Sequence, residues 1–253
     1  MVDGNSIVVI KGISGSGKST RVYYFLDFLE SIGSELRPFE FTNIDGRKDT
    51  IGVYSEDFNM VFVGKFYYDG GVRRWQGYDS MTGRLGKAEG LSHFMLEMTH
   101  RGISVLIDGA GVTATHRLRP ECLMADSEMM NILYVRYDYR EDQRDEYRAR
   151  IAYRSGEPPK GDQMWHKTSN FLHDMEKAVA EAKLVNQCGG NAVIADCPYD
   201  APVWDLGVRI LEFFGLNDLV EPYKEYAEAS DYIQQNSYET FTKNEGKTDS
   251  SRG

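Results

Sequence analysis

The sequence predicts an α/β fold: a parallel sheet sandwiched by helices, with a small β insertion and an acidic C-terminal tail. Apolar runs of strand length (SIVVIK, ISVLID, NILYVRYD, GNAVIADC) recur along the chain, separated by stretches of helical period and joined by short connections. The first of these runs passes directly into a glycine-rich stretch, GISGSGKST over residues 12–20, and then into a helical pattern. No segment repeats, so the chain does not read as an array of stacked units.

SIVVIK is short and almost wholly apolar, as a strand buried on both faces must be. After the glycine stretch, Val22, Phe25, Leu26, Leu29 and Ile32 recur at helical spacing, and Gly33 ends the helix. RPFEFTNI alternates like a strand. IGVYSEDFNMVFVGKFYY reads as two β segments around a polar turn, inserted before the next core unit; the insertion spans roughly residues 46–90. Its second half, GGVRRWQGYDSMTGRLGK, is glycine-rich and basic and reads as an irregular loop.

A helix over 91–99 follows, then the strand GISVLIDG ending in Asp108, then NILYVRYD and an arginine-rich helix. Residues 162–187 predict the longest helix, packed through Met164, Leu172, Met175, Val179 and Ala182. GNAVIADC is the last strand and PVWDLGVRILEFFGL the closing helix. One domain is expected over 1–216. Beyond Asn217 the apolar period fades, and 217–253 reads as a loose acidic tail.

Composition narrows the function. A chain of 253 residues, 41% hydrophobic and 27% charged, can bury a large core. It has no apolar run of eighteen residues, and MVDGNS is not a secretory leader, so a cytoplasmic protein without a membrane span is expected. Cys122, Cys188 and Cys197 form no C-x-x-C pair, and His166 and His173 stand too far apart to chelate together. A net charge of −10 opposes nucleic-acid binding in general, yet cations gather at Lys65, Arg73, Arg74, Arg84 and Lys87, and again between Arg136 and Arg154.

Residues Gly12, Ile13, Ser14, Gly15, Ser16, Gly17, Lys18, Ser19 and Thr20 contain the pattern G-x-x-x-x-G-K-[ST] between a strand and a helix. Glycines let successive N–H groups curl around an anion, and the helix start points its positive end there. In that pattern Lys18 reaches the β- and γ-phosphates of ATP, and the Ser19 hydroxyl ligates Mg²⁺.

A guanine-reading N-K-x-D is absent, which argues against a GTPase, and the short chain argues against a motor. The P-loop kinase fold remains. Its chemistry needs cations near the transferred phosphoryl group, and Arg148, Arg150 and Arg154 lie where a lid over about 140–162 is expected; Arg140 and Arg144 read as solvated partners of nearby acids. Asp108 closes its strand like the acid of a Walker B motif, placed to hold Mg²⁺ or to take a proton.

The segments FVGKFYYDGGVRRWQGYDSM and THRGISVLIDGAGVTATHRL resemble a group of phage-encoded P-loop kinases over roughly residues 5–160. Members of known role are similar to 5-hydroxymethyluracil DNA kinases, which phosphorylate the base hydroxymethyl group within DNA on the way to hypermodified thymines that resist host nucleases. The resemblance implies ATP with Mg²⁺ and an acceptor DNA carrying a modified thymine. The chain departs from the group in carrying Asp108 where Glu is commoner, and in the single glycine of WQGYD.

For such an acceptor, Trp75 and Tyr78 are candidate stacking faces and Arg73 and Arg74 candidate phosphate contacts. Asp79 is a candidate to bond the base or its hydroxymethyl oxygen, and rivals Asp108 as general base. A free nucleoside or nucleotide kinase and a non-catalytic nucleotide-binding regulator are the alternatives. The residues do not specify an oligomeric state.

Overall fold

A computed structural model of the chain describes residues 6–12, 16–86, 90–109, 131–137, 142, 145, 149, 152, 176, 178–180, 182–198 and 200–230. In chain order these form β1 (Ser6–Lys11), α1 (Lys18–Ser31), β2 (Leu36–Thr42), β3 (Lys48–Ser55), β4 (Met60–Val63), β5 (Lys65–Asp69), β6 (Val72–Gln76), α2 (Gly90–His100), β7 (Ser104–Asp108), β8 (Asn131–Tyr137), β9 (Asn191–Cys197) and α3 (Asp205–Phe213). Among the described residues, no helix is long and apolar enough to cross a membrane.

Seven strands make one sheet in the order β2-β3-β4-β7-β1-β8-β9. The five strands from β4 to β9 in that order run parallel, while β2 and β3 extend the sheet antiparallel. β1 lies at the centre. The parallel strands that follow it (β4, β7) lie on one side and the later ones (β8, β9) on the other, so the strand order reverses around β1. A ligand crevice opens beyond the carboxyl ends of strands at such a switch point. Register puts Ile10 of β1 beside Asp108 of β7, and Lys11 beside Arg136 of β8.

Pleating divides the apolar runs between two cores. Ile7 and Val9, with Val105, Ile107 and Ile132, face Leu91, Phe94, Met95 and Met98 of α2, together with Ala178, Ala182 and Val185. Val8 and Ile10, with Leu106, Leu133 and Val135, face Val22, Phe25, Leu26 and Leu29 of α1 and Leu206, Ile210 and Leu211 of α3. Strands covered on both faces must be apolar throughout, which is why SIVVIK and SVLID carry no alternation. Gly33 (φ 92°) ends α1 as the sequence predicts, although Ile32, the last member of the predicted stripe, is 46% exposed.

Three expectations change. Residues 48–63 are not an insertion: β3 and β4 belong to the main sheet, and the small β unit is the two-stranded β5–β6 ribbon alone. The stretch read as an irregular loop contains β6, whose residues Val72–Gln76 pair with β5.

The third change concerns residues 217–230, expected in the tail. They continue the folded domain, through a short 3₁₀ turn (Asn217–Leu219) and a helix over 220–230. Tyr223 is 0% exposed, meets the rings of Phe25 and Phe28 at 5.6 and 5.1 Å, and sits where Gly207 leaves room for it. Three residues further on, the Tyr226 hydroxyl donates to Asp27 of α1 at 2.5 Å, and the Trp204 indole donates to Glu228 at 2.9 Å. Aromatic anchors at helical spacing replace the aliphatic stripe whose fading suggested a loose tail.

Tyr223→Ala is expected to destabilise the protein by about 3–5 kcal/mol, the usual cost of emptying a large aromatic site. The Tyr223 hydroxyl has no hydrogen-bond partner among the described residues, so Tyr223→Phe is expected to keep wild-type stability. Urea unfolding of both variants checks this.

Candidate active site

β1 delivers Gly12 to the centre of the carboxyl edge, and α1 starts at Lys18 after Gly17, whose φ of 77° suits a residue without Cβ. Residues 13–15, which include Ile13, Ser14 and Gly15 of the predicted loop, lie outside the described residues. The two ends of that loop are tied by Lys18, whose Nζ donates to the Gly12 carbonyl at 2.6 Å and to Ser16 Oγ at 3.4 Å. A side chain at Gly12 would meet Ser16, Tyr137 and Lys18, so the backbone must be bare there. Thr20 is exposed on the first turn of α1.

Arg21, which the pattern does not include, braces the loop from below. Its guanidinium donates to the carbonyls of Ser16 (2.8 Å) and Ala201 (2.6 Å) and lies 4.5 Å from the centre of the Tyr137 ring. It is buried, and joins α1 to β8 and to the chain just before α3. No motif position marks it, because its guanidinium is held by backbone carbonyls, that of Ser16 and that of Ala201 180 positions away, and by an aromatic face.

Asp108 ends β7 beside the loop and is 1% exposed. The Ser19 hydroxyl donates to its Oδ2 at 2.8 Å, and the Trp75 indole donates to its Oδ1 at 3.4 Å. Burial raises the Asp108 carboxyl above the usual carboxylate range; the Ser19 hydrogen bond, the Lys18 charge and the indole pull it back, and neighbouring Asp79 pushes it up again. Ser19 and Asp108 thus pair two oxygen ligands of the kind Mg²⁺ takes.

Asp79 reaches the same place from the other chain segment. The motifs Gly77-Tyr78-Asp79 and Asp108-Gly109 interlock: a Cβ on Gly77 would lie 1.7 Å from Asp108 Oδ1, and one on Gly109 would lie 2.8 Å from Asp79 Oδ1. Each glycine makes room for the other motif's carboxylate. The two acids differ in access, because Asp79 is exposed and Asp108 is enclosed. Gly77→Ala is expected to cost about 1–3 kcal/mol of stability through overpacking and to displace Asp108. A lowered melting temperature together with lost activity checks it.

The remaining predicted acceptor residues are placed differently from the expectation. Trp75 and Tyr78 are each 3% exposed and packed in opposite cores, so neither offers an open stacking face. Trp75 lies edge-on to Phe66 at 5.2 Å, against Gly64, where a Cβ would collide with its ring. Arg73 is held by both carboxylate oxygens of Glu30 on α1, at 2.5 and 3.1 Å, with its guanidinium 3.6 Å over the Phe66 ring. It clamps the ribbon to the helix that begins at the phosphate loop. Arg74 pairs with Asp69 at 3.3 Å. The lid candidates Arg148, Arg150 and Arg154 lie outside the described residues.

A family model described as 5-hmdU DNA kinase 2 matches residues 4–201. A protein of Salmonella phage ViI named 5-hmdU DNA kinase 2 is 25% identical over 237 residues, which cover 83% of this chain and 76% of that protein.

Proposed function

The chain belongs to the 5-hmdU DNA kinase 2 family, and from that membership we propose that it is a P-loop phosphotransferase, moving the γ-phosphoryl group of ATP onto the hydroxymethyl oxygen of 5-hydroxymethyluracil in DNA. The observation that carries the reading is the meeting of Lys18, Ser19, enclosed Asp108 and exposed Asp79 at the carboxyl edge of β1 and β7.

Roles follow from access and partners. Gly12 and Ser16–Thr20 form the described part of the phosphate cradle, with Lys18 neutralising charge that grows on the transferring group. Ser19 and Asp108 are the residues that would hold Mg²⁺, which when bound neutralises the phosphate oxygens. Asp79, open to solvent beside them, accepts the proton of the acceptor hydroxyl. The hydroxymethyl oxygen then bonds to the γ-phosphorus as the bond to the β-phosphate oxygen breaks, and ADP leaves. Arg150 and Arg154 are proposed as further cations on the departing charge.

ADP release from ATP tests this reading. DNA containing 5-hydroxymethyluracil is expected to stimulate it and plain DNA is not. ATP binding without acceptor-dependent ADP would instead identify a nucleotide-binding regulator.

A further inference from the structure

We propose, resting on the DNA-kinase reading above, that the β5–β6 ribbon enters the major groove of duplex DNA and presents the hydroxymethyl group to Asp79 while the target base stays paired. A base-extruding enzyme holds its flipped base between aromatic or apolar side chains. The two aromatics nearest Asp79 in sequence, Trp75 and Tyr78, are instead committed to the cores. The acceptor group does not require extrusion. It is attached at C5 of the pyrimidine, and the C5 substituent of a paired thymine already projects into the major groove.

The ribbon has the dimensions and chemistry for that groove. A two-stranded ribbon fits a major groove about 12 Å wide. Each strand here has 5 residues, a length of about 17 Å at about 3.4 Å per residue. Pairing assigns the faces: Phe66 with Trp75 and Tyr68 with Arg73 lie on one, Lys65 with Gln76 and Tyr67 with Arg74 on the other. The first face is fastened to α1 through Arg73 and Glu30, so the second points away from the core.

On that outer face Lys65 is exposed and forms no ion pair among the described residues, while Tyr67, Arg74 and Gln76 are half-buried. At the tip, Tyr68 is 72% exposed and Val72 50%. Of the ribbon's cations, Arg73 is taken up by Glu30 and Arg74 by Asp69, which leaves Lys65 as the cation the outer face offers to a DNA phosphate. Gln76, a side-chain type that bonds the major-groove edge of adenine, is the last ribbon residue before Gly77-Tyr78-Asp79.

The test compares phosphate transfer to one target sequence in three forms: 5-hydroxymethyluracil paired with adenine, mispaired with guanine, and in single-stranded DNA. The paired duplex is expected to have a higher kcat/KM than the single strand, with no gain from the mispair. Lys65→Ala is expected to reduce the slope of log affinity against log salt by about 1. Gln76→Ala is expected to raise the duplex KM on the order of tenfold, as loss of a base-edge contact does. Lys48→Ala, removing an exposed lysine of β3 paired with Glu40, is the control expected to match wild type.

Faster transfer to the mispair, by about tenfold where extrusion must first unpair the base, or transfer to the single strand at or above the duplex rate, overturns groove presentation and leaves the DNA kinase standing. Wild-type duplex binding by both Lys65→Ala and Gln76→Ala overturns the ribbon as the contact. Transfer to free nucleoside with none to any DNA form removes the DNA-kinase reading and this inference with it.

Discussion

Lys18→Ala is expected to lower turnover by about 10²–10³-fold or more, the loss seen when one fixed donor to developing transition-state charge is removed. The Lys18 ammonium is buried and held against the Gly12 carbonyl at 2.6 Å, so its position is set before substrate arrives. A preset charge helps most when negative charge grows on the transferring phosphoryl group, which places the loss mainly in kcat. Alanine is a strong helix former, so α1 should still begin at this position. The check is single-turnover phosphate transfer beside a thermal melt. Near-normal turnover in a folded variant would remove residues 12–20 from the catalytic site.

The two aspartates should fail in different ways. Asp79→Asn is expected to slow transfer by about 10²–10⁴-fold, as loss of a general base does, with no recovery at higher Mg²⁺. Asp108→Asn keeps the shape that Ser19 and Trp75 pack around but weakens the proposed metal site. Its rate is therefore expected to recover in part as Mg²⁺ is raised. A Mg²⁺ titration of both variants separates the roles: rescue of Asp79→Asn and not of Asp108→Asn reverses the assignment, and normal rates in both leave neither role standing.

The half of this site proposed to bind phosphate was legible in the sequence because its signals are local. A strand, four glycine, lysine and serine positions at fixed spacing, and a helix start all fall within residues 6–31, and Asp108 is marked by the end of an apolar run. The acceptor half was legible in composition and misread in orientation. VRRWQ looked like loop because its apolar residues are few, yet Trp75 is an inward residue of β6 that donates to Asp108.

Arg73 looked like a phosphate ligand because its partner, Glu30, lies 43 positions away on α1. Only the folded chain shows that cation already neutralised. Gly77 and Gly109 were visible as parts of motifs, but their shared purpose, admitting one another's acid, depends on β7 lying beside the turn that follows β6. Residues 217–230 were misjudged for a related reason: Tyr223 and Tyr226 do not look like an apolar stripe, although their rings pack against α1.

The position of the transferred phosphate tests the proposed chemistry most directly. Labelled ATP is offered in parallel with DNA containing 5-hydroxymethyluracil, the same DNA with thymine, and the free modified nucleotide, and each product is digested to nucleosides and analysed by mass. The expected result is label in the modified DNA only, carried on the hydroxymethyl oxygen of the base. Label on the free nucleotide alone, or on a DNA terminus in place of the base, would contradict it.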